Sequence, residues 1–249
     1  MASRVLHAKE FPALQPSQTL WAHYHPESAP LRFTAQSPAA AAAWQTATRA
    51  ELFQALGFQD LPPAEAPATL LESVDKGDFV RQKWLLPTSP YSVMPVYLLV
   101  PKTGPRPLPV VLAFHGHGYG VKDIVGLWEN GDERDVVDGY HQDFGVALCR
   151  QGFAVAAPEI SCFGERQNDF SHLSQGIPKP VPTTCAQSSA LAFHLGGSAA
   201  GLRVLDGRRL VDWLATKPQF DTTRLGAMGI SGGGLHTFFS ACADPRIKA

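Results

Sequence analysis

The sequence predicts an α/β fold in which a doubly wound, mostly parallel sheet carries an antiparallel edge near its N-terminus. Short, almost wholly apolar runs at 108–114 and 153–157 are typical of strands that are covered on both faces in a parallel sheet. Helical stretches at 143–150 and 201–215 alternate with these runs, and a further strand-like run follows at 224–228. Such alternation indicates helices on both faces of the sheet and ligand sites at the carboxyl ends of the strands.

The antiparallel edge is predicted from two apolar runs that precede this alternation. Residues 79–86 and 96–100 are separated by the turn-forming sequence TSPYS, which favours an antiparallel pair of strands. We therefore expect residues 79–249 to form the core of the fold. Residues 1–78 are expected to form a helical or irregular flank.

One helix within this flank has clear start and stop signals. Ser37 is placed to be its N-cap, Pro38 occupies the first helical position, and Gly57 follows its last apolar residue. Serine at the N-cap, proline at the first position and glycine after the end are all typical of helix boundaries. The sequence therefore predicts a helix between Ser37 and Gly57.

Composition and charge point to a small-molecule partner. The chain has 249 residues, 45% of them hydrophobic, with 21 basic against 22 acidic side chains. Scattered, balanced charge argues against a nucleic-acid interface. No apolar run approaches the ~20 residues that a membrane span needs. We expect neither a nucleic-acid nor a membrane partner.

The spacing of the cysteines gives an indication of the cellular compartment. Cys149, Cys162, Cys185 and Cys242 lie far apart without a CxxC pair, and no secretory leader is visible before them. This usage is typical of reduced thiols in a cytoplasm-like environment. We therefore predict a cytoplasmic location.

The clearest chemical signal follows the run at 224–228. Gly229, Ser231 and Gly233 form a GxSxG sequence that is followed at once by a helical stretch. A serine held in a sharp turn between strand and helix leaves no room for side chains two residues before and after it, so both positions must be glycine. The first helical N–H groups then point at any developing oxyanion. The pattern predicts that Ser231 is a nucleophile.

A second signal lies at the end of the run at 108–114. The sequence HGHGYG spans residues 115–120, where a loop can supply the other half of an oxyanion hole. A tetrahedral intermediate needs backbone N–H donors at this place, and the loss of one donor costs about 3 kcal/mol. Gly116 and Gly118 allow a close approach of the loop. We assign the donors to the amides of His117 and Gly232.

The two histidines of this loop leave the alternatives of a metal site or a catalytic base. A zinc site needs further Asp, Glu or Cys ligands at suitable spacing, and none stands near this loop in the sequence. We predict no metal and no cofactor. His115 is expected to brace the loop by hydrogen bonds.

These features together resemble the α/β-hydrolase superfamily, and within it the acetyl xylan esterase and dienelactone-hydrolase-like branch. The resemblance runs from about residue 79 to the C-terminus. It rests on the HGHGYG loop (residues 115–120), the FGER tetrad (163–166), the GLRVLDGRRLVDWL helix (201–214) and the DTTRLGAMGISGGG elbow (221–234). Dienelactone hydrolases carry cysteine at the position of Ser231, so the resemblance implies a plain ester as the substrate.

The FGER tetrad follows the second buried strand and therefore lies near the expected active-site edge. The resemblance suggests that Glu165 and Arg166 order the loops around the pocket. We expect an ion pair of these residues that holds the insertion 167–200, rather than contact with the substrate.

The remaining members of a catalytic triad have no clear candidate. In this superfamily the acid and then the histidine follow the serine on loops after later strands. Only 18 residues follow Ser231 (249 − 231), and neither His236 nor Asp244 is expected to reach it. We expect the acid and the histidine after Ala249, a bare edge on the last strand, and weak or no turnover by the sequence as written.

The leading hypothesis is therefore a carboxylic ester hydrolase, similar to acetyl-ester deacetylases, that forms an acyl-enzyme at Ser231. A serine peptidase of the prolyl oligopeptidase kind is a rival, although the 78 residues before Phe79 are too few for its β-propeller. A non-catalytic scaffold is the other rival. If 249 residues is the natural length, the missing triad members favour the scaffold, whereas the glycines around Ser231 argue against it.

Overall fold

The structure, a computed structural model, describes residues 7–170 and 183–249. The described residues form two compact units that divide between Ala50 and Glu51. Helices α1 (Pro16–Ala22) and α2 (Pro38–Leu56) are the α-helices of the N-terminal part. The predicted boundaries of α2 are confirmed, because the Ala40 amide donates to Ser37 Oγ at 3.2 Å and Gly57 has a φ of +68°.

A mixed six-stranded sheet forms the centre of the second unit. Its strands are β1 (Thr69–Asp75), β2 (Phe79–Ser89), β3 (Ser92–Pro101), β4 (Leu108–Phe114), β5 (Ala154–Pro158) and β6 (Phe220–Gly229). They lie in the order β1-β2-β3-β5-β4-β6. Strands β5, β4 and β6 are parallel to one another, whereas β1, β2 and β3 form an antiparallel edge that pairs with β5. The predicted class, an α/β sheet with an antiparallel N-terminal edge, is confirmed.

The sheet begins ten residues earlier than the sequence indicated. Strand β1 pairs with β2, so the prediction of a helical or irregular flank up to residue 78 does not hold for Thr69–Asp75. Almost all residues of β1 are exposed, and a strand that buries neither face lacks the alternation of apolar and polar residues by which strands are recognised.

Within the described residues, four further α-helices accompany the sheet. They are α3 (Phe144–Arg150), α4 (Cys185–His194), α5 (Ala199–Ala215) and α6 (Gly232–Ala243). Alternate strand residues face opposite sides: Leu98 and Leu112 pack with Leu210 of α5, whereas Leu99 and Ala113 pack with residues of α3. Covered faces on both sides explain the wholly apolar strands.

The outer edge of β6 is partly paired, so the prediction of a bare edge is wrong. A turn at Asp244 brings Ile247 beside Leu225 in a parallel bridge. The Lys248 amide donates to Leu225 O at 2.8 Å, and the Ala227 amide donates to Ala249 O at 2.7 Å. Among the described helices, none has the length and apolarity that a membrane crossing requires.

Candidate active site

Ser231 occupies a sharp turn between β6 and α6. Its φ is 54° and its ψ is −117°, and α6 begins at the next residue. A non-glycine residue rarely adopts this backbone conformation, which costs energy and persists only where the surroundings enforce it. The Gly233 amide donates to Ile230 O at 2.9 Å and closes the turn, while Ser231 itself is exposed.

The two flanking glycines sit where backbone atoms approach closely. A Cβ atom on Gly229 would collide with Gly233 O and lie 2.7 Å from Thr237 Oγ1. A Cβ atom on Gly233 would collide with Phe114 O and lie 2.5 Å from His115 O. The turn therefore needs glycine at both positions for the steric reason that the sequence suggested.

The HGHGYG loop (residues 115–120) leaves β4 beside this turn. Phe114 pairs with Gly229 in the parallel register of β4 and β6, so the chain exits both strands at the same level of the sheet. The exposed His117 ring lies 3.4 Å from the Cβ position of Gly232 and packs edge-on against Phe163 at 5.1 Å. The two loops meet at the carboxyl ends of their strands.

Both amides assigned to the oxyanion hole are candidates for ligand binding. Within the part of the chain that the structure describes, neither His117 nor Gly232 donates its amide to a backbone acceptor in a loop or cap. The Gly232 amide belongs to the first turn of α6, where N–H groups lack partners within the helix. Such groups can hold a negatively charged oxygen.

His115 is buried beneath the loop. Its Nδ1 donates to Gly116 O at 2.8 Å, and its Nε2 lies 3.0 Å from Glu159 Oε1 and 3.1 Å from the Ile160 amide nitrogen. These contacts join the start of the HGHGYG loop to the residues that follow β5.

Glu159 is a site residue that the sequence reasoning missed. Its buried carboxylate accepts hydrogen bonds from the amides of Val121 at 3.0 Å and Glu165 at 3.4 Å. Gly120 and Gly164 have positive φ, and a Cβ atom on either would press into the Glu159 carboxylate. Glu159 therefore links the HGHGYG loop to the FGER turn. A charged residue two positions after the apolar run at 153–157 was the available signal.

Glu165 and Arg166 do not form an ion pair with each other, which corrects the prediction. Arg166 Nη1 donates to Asp206 Oδ2 of α5 at 2.6 Å, and its Nη2 donates to Ser92 Oγ at 3.1 Å. Lys83 lies 2.7 Å from Glu165 instead. Adjacent residues of this short 3-10 turn point in different directions, so each finds its own partner. The insertion expected to be held by the pair lies partly outside the described residues.

A second buried cluster lies behind the HGHGYG loop. His141 Nδ1 is 2.6 Å from Asp123 Oδ2, and the Gly116 amide donates to His141 Nε2 at 2.7 Å. Arg134 contacts Asp123 at 3.1 Å and also pairs with Asp143. Burial raises the pKa of Asp123, but hydrogen bonds from His141 and Arg134 outweigh burial and hold this pKa below its usual range. The irregular segment that carries these residues has no period from which the cluster could be predicted.

Comparison with known proteins assigns the chain to a family. Residues 22–249 match the family model Abhydrolase_7, described as the Abhydrolase family. The chain belongs to this family. The match covers the sheet, the elbow at Ser231 and the HGHGYG loop together.

Individual abhydrolase relatives are more distant. A Bacillus subtilis (strain 168) protein provisionally named hydrolase YtaP is 26% identical over 207 residues, or 80% of this chain and 60% of that protein. BF1801 of Bacteroides fragilis NCTC 9343, provisionally named an acetyl xylan esterase, has a TM-score of 0.73 at 16% identity and covers 98% of this chain and 60% of that chain. Methylesterase BT1017 has a TM-score of 0.64 at 21% identity, over 86% of this chain and 41% of that chain. These likenesses show a shared α/β-hydrolase fold, and this abhydrolase chain spans 60% or less of each relative's length.

Two polar residues that follow the elbow of this abhydrolase point away from it. His236 is buried in α6, stacks on Phe114 and donates from Nε2 to Arg203 O at 2.8 Å. Burial lowers the pKa of His236 to about 3, with a further contribution from the charge of Arg203. Asp244 accepts hydrogen bonds from Arg246 at 2.6 Å and 2.9 Å. Both residues are therefore engaged with partners other than Ser231.

Among the described residues, no group of three or more His, Cys, Asp or Glu side chains is arranged to hold a metal ion.

Proposed function

We propose that the chain carries the nucleophile and the oxyanion hole of a serine hydrolase that cleaves carboxylic esters. The observation that carries this proposal is the backbone of Ser231, which holds an exposed hydroxyl group at φ 54° and ψ −117° between β6 and α6. Strain of this kind is concentrated at functional sites. The turn between strand and helix is also the setting in which a GxSxG serine acts as a nucleophile.

In the proposed reaction, Ser231 Oγ attacks the carbonyl carbon of the ester. The carbonyl oxygen becomes an oxyanion and accepts hydrogen bonds from the amides of His117 and Gly232. The carbon–oxygen bond to the alcohol then breaks, the alcohol leaves with a proton, and the acyl group stays on Ser231 as an ester. Water hydrolyses this acyl-enzyme and releases the acid. The triad acid and histidine stay a prediction.

The substrate proposed here is a small ester, and acetyl esters are the first choice. Two of the proteins that share this fold bear esterase names, one an acetyl xylan esterase and the other a methylesterase. Ser231, rather than cysteine, also fits a plain ester. A cytoplasmic location stays a prediction from the cysteine pattern.

A fluorophosphonate probe tests the proposed nucleophile in the natural full-length protein. Because an activated serine attacks phosphorus, we expect stoichiometric labelling that mass spectrometry maps to Ser231. Labelling should vanish in Ser231→Ala and persist in Ser189→Ala, which alters an exposed serine of α4. An unlabelled Ser231 in the folded protein would instead support the non-catalytic scaffold.

Substrate assays separate the esterase from the peptidase. We expect hydrolysis of an aryl acetate by the full-length protein, and a loss of about 10³-fold or more in Ser231→Ala. Cleavage of prolyl peptides without cleavage of esters would favour the peptidase.

Replacement of His117 by alanine separates the role of its amide from that of its ring. The backbone N–H survives this change, so we expect labelling of Ser231 to slow by less than about tenfold, against the 10²–10³-fold loss typical of a missing oxyanion donor. A loss as large as that of Ser231→Ala would mean that the imidazole acts as the base.

A further inference from the structure

A buried histidine and aspartate support the HGHGYG loop from behind. His141 and Asp123 follow this loop in the sequence, and neither belongs to the candidate residues of the elbow or the oxyanion hole. The His141 side chain has no exposed surface, and that of Asp123 is 8% exposed. Two of their contacts with the loop come through glycines, one on each side of His117.

Both glycines pack directly against this pair. The Gly116 amide donates to His141 Nε2 at 2.7 Å. A Cβ atom on Gly118 would lie 3.0 Å from Asp123 Oδ2 and 3.3 Å from His141 Cε1. Because the residues before and after His117 both lie against the pair, the position of the pair determines where the His117 amide lies.

The hydrogen bonds define which ring nitrogen of His141 carries the proton. Asp123 Oδ2 lies 2.6 Å from Nδ1 and can only accept, so Nδ1 carries a proton and donates it. Nε2 accepts from the Gly116 amide, so it carries none. A neutral imidazole satisfies both contacts, and a carboxylate beside one nitrogen selects this tautomer. With its Nε2 lone pair engaged by Gly116, His141 is not free to take the proton of Ser231.

The pair is itself fixed from the other side. Arg134 Nη1 donates to Asp123 Oδ1 at 3.1 Å, and Nη2 donates to the Asp123 carbonyl at 2.9 Å. Arg134 also pairs with Asp143, which accepts the Gly126 amide at 3.2 Å. Gln142 and Asp143, directly after His141, have φ of 51° and 45°. Two consecutive non-glycine residues in the left-handed region indicate a turn that the surroundings hold against strain.

We propose that His141, oriented by Asp123, is a positioning residue that holds the HGHGYG loop so that the His117 amide faces the oxyanion. This inference rests on the proposed function for its catalytic consequence. It adds a requirement that the reaction itself does not reveal: an acceptor at the Nε2 position of His141. The Asp123 carboxylate is required because it keeps that nitrogen unprotonated.

The test compares variants that keep or remove this acceptor. Glutamine can place its side-chain oxygen near the Nε2 position, whereas leucine cannot. We expect His141→Leu to slow fluorophosphonate labelling of Ser231 by about 100-fold, as for a lost oxyanion donor, and His141→Gln to stay within about fivefold of the natural rate. His194→Gln, on an exposed histidine of α4, is the matched control and should label at the natural rate.

Asp123→Asn provides a variant in which the histidine remains. The asparagine amide can donate to Nδ1 and favour the other tautomer, which sets an N–H against the Gly116 amide. We expect labelling to slow by at least tenfold while circular dichroism and the melting temperature show a folded protein. Natural labelling rates in folded Asp123→Asn or His141→Leu, or a glutamine variant as slow as the leucine variant, would overturn the proposal.

Hydrogen exchange tests the positioning without reference to activity. We expect amides 115–120 to exchange at least tenfold faster in His141→Leu than in His141→Gln. Equal exchange would overturn the positioning role even if Ser231 is labelled. Conversely, failure of the natural protein to label would refute the proposed nucleophile, and the exchange comparison would then decide the positioning role alone.

Discussion

At the scale of single residues, the elbow depends on two kinds of backbone position. Ser231 has a conformation that side chains disfavour, and the neighbouring helix enforces it. Gly233 instead has an ordinary φ but lies against the carbonyls of Phe114 and His115. Its requirement for glycine is therefore one of space between β4 and α6. At Gly234, the next residue, a Cβ atom would make only ordinary van der Waals contact, with Gly229 O nearest at 3.5 Å.

Replacing Gly233 or Gly234 by alanine is expected to have opposite effects on the free energy of unfolding. We expect Gly233→Ala to lower the free energy of unfolding by about 2 kcal/mol, because the backbone of β4 or α6 must shift to admit the methyl group. Gly234→Ala should raise it by up to about 1 kcal/mol, because alanine is favoured over glycine inside a helix. Urea unfolding of both variants checks the pair. Equal stability of the two would show that space at Gly233 does not limit the turn.

At the scale of elements, the site is built from loops that leave three neighbouring parallel strands. The loops after β4 and β6 meet at His117 and Gly232, and the loop after β5 supplies Glu159 between them and the FGER turn. Ligand sites at the carboxyl ends of parallel strands arise in this way, because the strands end at one edge of the sheet. Glu159 is 1% exposed, so its carboxylate depends on protein partners in place of water.

The buried carboxylate of Glu159 and the more exposed carboxylate of Glu165 can be compared by their effects on the free energy of unfolding. We expect Glu159→Gln to lower the free energy of unfolding by about 2 kcal/mol or more, because the amide cannot replace both buried acceptor oxygens. Glu165→Gln removes a carboxylate that is 37% exposed and should cost less than about 1 kcal/mol. Chemical unfolding measures both changes. A smaller loss for Glu159→Gln than for Glu165→Gln would contradict the bridging role of Glu159.

At the scale of the whole molecule, several ionisable groups with shifted pKa values make stability depend on pH. His236 of α6 packs between Phe114 and the backbone of α5. Burial lowers the pKa of His236 from 6.5 to about 3. Below the ordinary pKa, the unfolded chain binds a proton at this residue while the folded protein does not. The free energy of unfolding therefore falls as the pH is lowered from 6.5 towards 3. The carboxylates of Asp123 and Glu133, with lowered pKa values, add to this loss at lower pH.

Replacement of His236 isolates its part of the pH dependence. Between about pH 6 and pH 4.5, we expect the free energy of unfolding of the natural protein to fall more steeply than that of His236→Gln, by about 1.4 kcal/mol per pH unit. Glutamine keeps a donor for Arg203 O but does not titrate. Urea unfolding at several pH values checks this difference. Parallel curves for the two proteins would show that His236 is not the buried neutral group.

The sequence by itself determined the fold class, the parallel strands, the α2 helix and the strand-to-helix turn at Ser231. These features depend on neighbours in the chain, because apolar runs and glycine spacing report local backbone requirements. The α/β-hydrolase resemblance also followed from local motifs, and the family assignment agrees with it.

Only the tertiary structure decided which side chains meet. It paired Arg166 with Asp206 rather than Glu165, placed Glu159 between two loops, and brought His141 and Asp123 behind Gly116 and Gly118. These partners lie in irregular segments or on separate elements. No periodicity links them, because their contacts arise from the packing of the sheet with its helices and loops.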